Sequence, residues 1–223
     1  MEPPTEPPTR AGVARTFDAI AADFARTRER PWAEVLEFAE SLPPRSAVLD
    51  LGCGNGRHAG VLSDWGHQVV GLDASAKLVA IARHRAPGAT IVQGDLCALP
   101  FRDRTFSAAI AVASIHHLPS EAERAGALRE MGRVLAEGGR AFLTVWAFEQ
   151  PRFEQILEAQ RARRNPSFGD VWVPWRAGGR EVQRFYHLFV DEELPHLVLD
   201  SGLCVERYFR SGENYIVVAE RRG

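Results

Sequence analysis

The sequence has little lysine, little cysteine and no long hydrophobic run. Lys77 is the single lysine among 223 residues, and the three cysteines stand at positions 53, 97 and 204. Cysteines this far apart, with no Cys-x-x-Cys pair, argue against a disulfide framework and against a zinc site. We therefore predict no metal and a reduced, cytoplasmic setting. No stretch approaches the roughly 20 apolar residues of a membrane span, so no membrane partner is expected.

The sequence also lacks an overall excess of positive charge. Its net charge is −2, which excludes the global basic field of many nucleic-acid-binding proteins. Arginine supplies nearly all the positive charge and is locally concentrated in two places: Arg26, Arg28 and Arg30, and Arg161, Arg163 and Arg164. Such runs are usually solvated faces, but two basic patches also suit a nucleic-acid backbone, and both interpretations stay open.

Length and composition indicate one folded domain behind a short tail. A chain of 223 residues with 45 % hydrophobic residues is long enough to bury the core of one α/β domain. The first ten residues are rich in proline and have no apolar core. We predict a disordered tail over 1–12 and a single domain over 13–223, in which 147–190 forms an insertion on the substrate side.

Strand and helix patterns alternate along the first two thirds of the chain, which indicates an α/β fold with a mostly parallel sheet and helices on both faces. A hairpin follows near the C-terminus and adds antiparallel strands, for seven in all. The predicted strands are 47–51, 68–73, 90–93, 106–112, 140–146, 203–210 and 215–220. The predicted helices are 13–25, 32–41, 57–65, 75–85, 120–136, 151–163 and 191–201, with a loop from 164 to 184.

Three glycines follow the first strand in the pattern Asp50-x-Gly52-x-Gly54-x-Gly56. Alternate glycines let the backbone turn tightly and approach a ligand without Cβ interference. In a dinucleotide-binding fingerprint the third glycine follows the second by three residues, and this loop does not have that spacing. The negative charge of Asp50 would also repel a pyrophosphate, whereas it suits a cation. The pattern resembles motif I of Rossmann-like class I methyltransferases that use S-adenosylmethionine (SAM), which carries an ammonium and a sulfonium.

That resemblance implies a set of cofactor residues at the strand ends. Asp73 would accept hydrogen bonds from ribose hydroxyls, Asp95 would meet the adenine amino group, and Leu96 would pack against the ring. The full predicted set is Asp50, Gly52, Gly54, Asn55, Gly56, Asp73, Ala74, Gly94, Asp95, Leu96 and Ala113. Simpler alternatives remain for the acids, since Asp50 and Asp73 would also serve as helix caps and Asp95 would also close a turn.

Three further segments resemble a narrower family, the tRNA wobble-uridine carboxymethyl methyltransferases. They are Thr27-Arg-Glu-Arg-Pro-Trp32, Val173-Pro-Trp175 and Tyr186-His-Leu188, within a similarity that covers nearly the whole chain from about residue 15. The resemblance implies esterification of 5-carboxymethyluridine in the tRNA anticodon loop. It also implies a small zinc-binding activator subunit that pairs with the edge strand 90–93. Two departures are phenylalanine at 17 and 24, where many methyltransferases have tyrosine, and the shortness of 176–184.

The chemistry of that reaction defines the predicted substrate residues. A carboxylate is already ionised at pH 7, so the enzyme needs no general base and must instead position an oxygen and exclude water. Arg28 would bind the carboxylate or a phosphate, histidines and a tyrosine would orient the base, and tryptophans, Trp32 among them, would form walls or stack on the uridine. The predicted catalytic set is Arg28, His116, His117, Trp146, Trp175, Tyr186 and His187.

Alternatives stay open at this point. Trp146 would equally be a core residue, His117 would equally bind a backbone carbonyl, and Arg28 would equally pair with Glu29 or Asp23. For the whole chain, the competing functions are methylation of a small-molecule carboxylate or hydroxyl, a non-catalytic SAM-binding scaffold, and a nicotinamide dehydrogenase.

Overall fold

A computed structural model describes residues 6–162, 168–177 and 180–222. Within these ranges the strands are β1 Ala47–Leu51, β2 Gln68–Asp73, β3 Thr90–Gln93, β4 Phe106–Val112, β5 Leu135–Trp146, β6 Asp170–Ala177, β7 Arg180–His187, β8 Cys204–Ser211 and β9 Asn214–Glu220. A seven-stranded sheet has the order β3-β2-β1-β4-β5-β9-β8, and β6 and β7 form a separate pair. β1 to β5 run parallel, while β9 is antiparallel to both of its neighbours. The predicted fold is confirmed.

Helices cover both faces of this sheet. They are α1 Arg10–Arg26, α2 Ala33–Glu40, α3 Arg57–Asp64, α4 Ala76–Arg85, α5 Glu121–Val134, α6 Glu154–Ala162 and α7 Glu193–Asp200. Apolar side chains of α5 and α7, such as Leu128 and Leu197, pack against one face. Those of α2 and α3, such as Val35 and Leu62, pack against the other. No helix in the described ranges is both long enough and apolar enough to cross a membrane.

The first helix begins earlier than predicted. Thr9 caps it, because its hydroxyl accepts a hydrogen bond from the Gly12 amide at 3.0 Å, and the helix therefore starts at Arg10. Residues 10–12 belong to the folded domain and not to the predicted tail, whose positions 1–5 lie outside the described residues. Asp18 fastens α1 to α4 by accepting from the Ser75 hydroxyl at 2.6 Å and the Lys77 amide at 3.0 Å.

The segment after residue 168 corrects the predicted loop. β6 and β7 form an antiparallel ladder in which Val171 faces Tyr186 and Trp172 faces Phe185. Pro174 indicated a loop, but a two-stranded ribbon has only edges, and an edge accepts proline. The predicted helix 151–163 is a short 3₁₀ turn followed by α6. Arg163 and Arg164 of the second basic patch lie outside the described residues.

The junction of α5 and β5 also differs from the prediction. α5 ends at Val134 and β5 begins directly at Leu135, whereas the sequence predicted a helix to 136 and a strand from 140. Leu135 pairs with Phe106, and the register then shifts before Ala108 pairs with Arg140. Gly138, with φ +70°, turns the chain inside the strand instead of ending the helix.

Candidate active site

A cavity of about 500 Å³ lies where the carboxyl ends of β1 to β4 meet, beneath α1. A volume of this size is typical of small-molecule sites. α1 contributes Phe17, Phe24 and Arg10 to its wall, and the strand ends contribute the loops that follow them. Ligands of open α/β sheets bind at this edge, and the fold brings most of the predicted cofactor and substrate residues to it.

The glycines of the loop after β1 have two functions: Gly52 and Gly54 form part of the cavity wall, and Gly56 allows the loop to pack closely against α4. Gly52 has φ +72°, and a Cβ there would lie 2.4 Å from the Ser114 Cβ. Gly54, with φ +55°, lines the cavity as Gly52 does. Gly56 is the N-cap residue of α3 at φ +77°, and a Cβ there would meet the Ala82 backbone at 3.1 Å. Gly56 therefore packs the loop against α4 and lies outside the cavity wall, which corrects its predicted contact with the cofactor.

Asp73 ends β2 and presents its carboxylate to the cavity. One oxygen accepts from the Gly54 amide at 2.9 Å and the other from the Ser75 amide at 2.8 Å. Burial raises the pKa of Asp73, although these backbone hydrogen bonds oppose the shift. The carboxylate is thus fixed in orientation and keeps lone pairs for further donors such as ribose hydroxyls.

Asp50 lies below the glycine loop and not in the cavity wall. It is 1 % exposed, and its Oδ2 has no hydrogen-bond partner among the described residues. Burial raises its pKa to about 7, Arg57 opposes the shift and Asp73 adds to it. The predicted direct contact between Asp50 and the cofactor is therefore corrected: the carboxylate is buried within β1 and does not line the cavity.

Asn55 and Ala113 line the cavity and fix its shape. The Asn55 side chain donates to the carbonyls of Ala25 at 3.0 Å and Arg28 at 2.9 Å, which fastens the N-terminal segment to the glycine loop. Ala113 adopts φ +51°, a strained conformation for a non-glycine residue. Its amide donates to the Thr144 carbonyl at 3.1 Å, and this bond holds the turn after β4.

The loop after β3 places Gly94, Asp95 and Leu96 in the cavity wall. Ala74, which follows β2, also lines the cavity. Asp95 accepts from the Cys97 amide at 2.9 Å and also pairs with Arg10. The Arg10 Nε lies 3.0 Å from Glu123 Oε1, so Arg10 joins α1 to two acids. Sequence reasoning missed Arg10 because it assigned that position to the tail, although Thr9 before an apolar helical pattern was a start signal.

The two adjacent histidines after β4 are both neutral. Burial holds the pKa of His117 at about 3 and that of His116 well below its usual value. The Trp146 amide donates to His116 Nδ1 at 3.0 Å, so the His116 proton lies on Nε2, which has no acceptor among the described residues. His117 Nδ1 lies 2.9 Å from the Phe185 carbonyl, which can only accept, so His117 Nε2 carries a lone pair.

Trp146 and Tyr186 form a stacked wall beside these histidines. Their ring centroids are 4.2 Å apart with an interplanar angle of 9°, and both residues line the cavity. The Arg152 Cζ lies 4.6 Å from the Trp146 ring. Because the Tyr186 ring and the Arg152 guanidinium already lie against the Trp146 indole, we interpret the indole as part of the cavity wall and not as a surface on which a base stacks.

Arg28 faces the cavity, with Trp175 beside it. The Arg28 Cζ lies 4.8 Å from the Phe24 ring and 5.7 Å from the Trp175 ring. Asp23 pairs with Arg26, and within the described chain Arg28 has no ion pair. Trp175 does not line the cavity, so its predicted contact with the base is corrected. Its ring instead lies beside the Arg28 guanidinium.

His187 is not a substrate residue in this structure. Its Nδ1 lies 2.7 Å from Asp170 Oδ1 and its Nε2 lies 2.7 Å from Glu193 Oε1. Burial lowers its pKa, but the two carboxylates outweigh burial and the pKa is raised. The predicted role in orienting the base is corrected: the imidazole links the β6–β7 hairpin to α7.

Besides Arg10, sequence reasoning missed Arg57 and Arg184. Arg57 lines the cavity, and burial, Arg28 and Arg85 together lower its pKa to about 10. Arg184 is 5 % exposed and donates to the Tyr186 hydroxyl at 2.6 Å. Reading 180–187 as a strand would have placed residues 184 and 186 on one face.

Comparison with known proteins assigns the family. A model described as a methyltransferase domain matches residues 49–143. The tRNA (carboxymethyluridine(34)-5-O)-methyltransferase of Schizosaccharomyces pombe is 33 % identical over 94 % of this chain and 96 % of its own length. The Xenopus tropicalis protein of that name, alkbh8, is 43 % identical over 95 % of this chain. This chain spans only 41 % of the Xenopus protein.

Solved structures agree on the fold. A SAM-dependent methyltransferase from Methanosarcina mazei has a TM-score of 0.73 at 20 % identity, covering 86 % of this chain and 99 % of its own. A complex of the Haloferax volcanii Trm112 methyltransferase activator with a methyltransferase gives 0.71 at 18 % identity, covering 95 % and 98 %. The fold is that of class I methyltransferases, and the cofactor is SAM. The chain belongs to the tRNA (carboxymethyluridine(34)-5-O)-methyltransferase family.

Proposed function

We propose that this protein transfers a methyl group from SAM to the carboxylate of 5-carboxymethyluridine at the tRNA wobble position. The observation that carries the proposal is the similarity to the Schizosaccharomyces pombe enzyme of that name over 94 % of this chain and 96 % of that one. The cavity supports it, because cofactor-type residues at the strand ends and neutral aromatic groups on the hairpin side meet there.

The strand-end side of the cavity fits the cofactor. Asp73 offers lone pairs for ribose hydroxyls, and the loop at Gly52 has no room for a side chain. Gly94 and Leu96 offer a small and an apolar surface for the adenine. SAM, when bound there, supplies an electrophilic methyl group.

The residues around the methyl acceptor position it and exclude water. The carboxylate oxygen forms a bond to the methyl carbon while the carbon–sulfur bond breaks and its electron pair stays on sulfur, so no proton moves. The two reacting charges cancel, and a dry pocket therefore favours the step. The buried Tyr186 and the half-buried Trp146, together with the neutral His117, exclude water without adding a charge.

The two adjacent imidazoles carry their protons on opposite nitrogens, and His116 is fully buried. His116 Nε2 carries a hydrogen and His117 Nε2 carries a lone pair, by the hydrogen bonds that their Nδ1 atoms make. Uracil presents a carbonyl acceptor next to the N3–H donor, whereas cytosine presents an amino donor next to the N3 acceptor. The His117 Nε2 lone pair therefore suits the N3–H donor of uracil and opposes the N3 acceptor of cytosine.

An arginine group at the mouth of the cavity would hold the RNA backbone. Arg57 donates to the Arg30 carbonyl at 3.4 Å and Arg85 to the Arg28 carbonyl at 3.1 Å. In the described chain these four arginines make no ion pair with a carboxylate, so their charge is available to phosphates. This concentration of charge coexists with a net charge of −2.

We further propose that an activator subunit, zinc-binding as the family resemblance implies, pairs with β3. β3 is the edge of the large sheet, and the Haloferax volcanii methyltransferase was solved with the Trm112 activator. Arg83 Nε already donates a hydrogen bond to the Ile91 carbonyl at 3.1 Å, so the partner would displace or share that bond.

Hydrogen exchange of the backbone amides of residues 90–93 should slow in the complex. Unchanged exchange there, in a complex that does form, would contradict this placement.

The function is tested by methyl transfer from labelled SAM, with and without the activator. One tRNA carries 5-carboxymethyluridine at the wobble position and a matched tRNA carries uridine there. We expect label only in the first. Equal labelling of both tRNAs, or labelling of free small carboxylates but of neither tRNA, would overturn the proposal.

A further inference from the structure

Arg184 is a buried cation with no carboxylate paired to it in the described part of the chain. It lies on β7 and is 5 % exposed, its Nη1 donates to the Tyr186 hydroxyl at 2.6 Å, and its Nε has no acceptor among the described residues. Arg28 and Arg152 are the cations that act on it, and its hydrogen-bond partner Tyr186 is a neutral phenol. Burying an unpaired charge is costly, so the arrangement lacks an anion.

Other unpaired donors lie next to Arg184. The Trp175 Nε1 is buried without a partner in the described chain, and the Arg184 Cζ lies 4.8 Å from the Trp175 ring. Arg28 lies 5.7 Å from the same ring on the cavity side. A neutral tryptophan donor and two guanidinium groups thus surround one small region between the hairpin and α1.

Tyr186 connects this region to the cavity. Its hydroxyl oxygen accepts from Arg184, so its own hydrogen remains for an acceptor, and its ring lines the cavity. Arg184 does not line the cavity itself. It is therefore a positioning residue that orients and polarises the Tyr186 hydroxyl.

We infer that Arg184, acting through Tyr186 and together with Arg28, recognises the carboxylate of the substrate's carboxymethyl group. This inference rests on the proposed function. The depth of Arg184 and Tyr186, both at most 5 % exposed, suits a small carboxylate, whereas a phosphodiester would meet the more exposed arginines at the mouth. Holding one carboxylate oxygen leaves the other free to attack.

The consequence is discrimination by charge. A carbamoylmethyl group has nearly the same shape, but it is neutral, so its carbonyl oxygen accepts from the guanidinium and hydroxyl donors more weakly than an ionised carboxylate oxygen does. Hydrogen bonds between charged partners are roughly twice as strong as those with a neutral acceptor. The carboxymethyl form should therefore bind at least about tenfold more tightly than the carbamoylmethyl form.

The experiment compares the binding of two tRNAs, carrying 5-carboxymethyluridine or 5-carbamoylmethyluridine, to the protein saturated with S-adenosylhomocysteine. Arg184→Gln should remove most of the wild-type preference, and Arg184→Lys should restore part of it. Arg176→Gln is the matched control, because Arg176 is an exposed arginine of the same hairpin, and it should keep the preference. Tyr186→Phe should also reduce the preference, which keeps the test valid if Arg184→Gln fails to fold.

The outcomes separate the possible anions. An Arg184→Gln variant that keeps the full preference would overturn the inference. So would an equal loss of affinity for both tRNAs, which indicates a phosphate, or a large loss of SAM affinity, which indicates the cofactor's own carboxylate. If the wild-type protein neither prefers nor methylates the carboxymethyl tRNA, the proposed function itself fails.

Discussion

His116 and His117 are adjacent in the chain, yet their imidazoles carry their protons on opposite nitrogens. The Trp146 amide donates to His116 Nδ1 at 3.0 Å, whereas His117 Nδ1 donates to the Phe185 carbonyl at 2.9 Å. The first bond comes from β5 and the second from β7. The assembled sheet and hairpin, and not the dipeptide itself, therefore set which nitrogen of each imidazole carries the proton.

Replacing His117 removes the acceptor of this pair. We expect His117→Phe to lower tRNA methylation at least about tenfold, since a buried donor on the base would lose its partner. The dissociation constant for SAM should stay within about twofold by calorimetry. His196→Phe, at an exposed position of α7, is the control and should methylate normally. Full activity of His117→Phe would remove the imidazole from the base site.

The His187 bridge predicts how stability depends on pH. The raised pKa means that the folded state holds the His187 proton more tightly than the unfolded state. Its stabilisation is therefore fully present below the unfolded pKa of about 6.5 and is lost as pH rises through the higher folded value. Arg124 acts on the same imidazole and opposes the shift.

Thermal unfolding of the wild type and of His187→Gln between pH 6 and 9 tests this linkage. The midpoint difference between the two proteins should be largest at pH 6 and should shrink as pH rises. A difference that grows with pH would contradict an imidazolium held between Asp170 and Glu193.

Among the glycines of the loop after β1, Gly52 should be the one whose substitution most affects SAM binding. An alanine there keeps φ +72°, which costs about 1–2 kcal/mol, and its Cβ would lie 2.4 Å from the Ser114 Cβ. We expect Gly52→Ala to abolish measurable SAM binding. Gly66→Ala is the matched control: Gly66 has φ +87° but nothing within 4 Å of its Cβ position, so it should lose stability alone. Equal SAM affinities for both variants would contradict the loop geometry.

Asp73 should contribute more to SAM affinity than any other acid in the cavity wall. Asp73→Ala removes the acceptors for ribose hydroxyls and frees the Gly54 amide. One or two such bonds are worth about 1–3 kcal/mol, so the dissociation constant should rise about tenfold or more. Asp64→Ala, at an exposed position of α3, should leave it unchanged. An unchanged constant for Asp73→Ala would place the cofactor elsewhere.

The sheet and the cofactor side were predictable because both follow from local patterns. Alternating apolar strands and helices specify a parallel sheet, and the end of each strand specifies which edge its last residue occupies. Asp73 and Asp95 therefore reached the cavity as expected. Asp50 did not, because it lies within β1 and the loop covers it.

The substrate side was harder because it depends on the β6–β7 hairpin. Pro174 and the pair Gly178-Gly179 indicated a loop in the sequence. The strands are stabilised by packing against α1, which no short sequence pattern shows. Because the sequence did not predict β7, nothing in the sequence placed Arg184 next to Tyr186. His187 was misassigned for the same reason, since its partners Asp170 and Glu193 come from other elements.

The central claim is that the methyl group becomes an ester on the wobble nucleoside, and nucleoside analysis tests it most directly. After reaction of 5-carboxymethyluridine tRNA with labelled SAM and the activator, digestion should place all label in one nucleoside, the methyl ester of 5-carboxymethyluridine. Mild alkali should release that label as methanol. Label that survives alkali on a base nitrogen or a ribose oxygen, or label at any other nucleoside, would contradict the account.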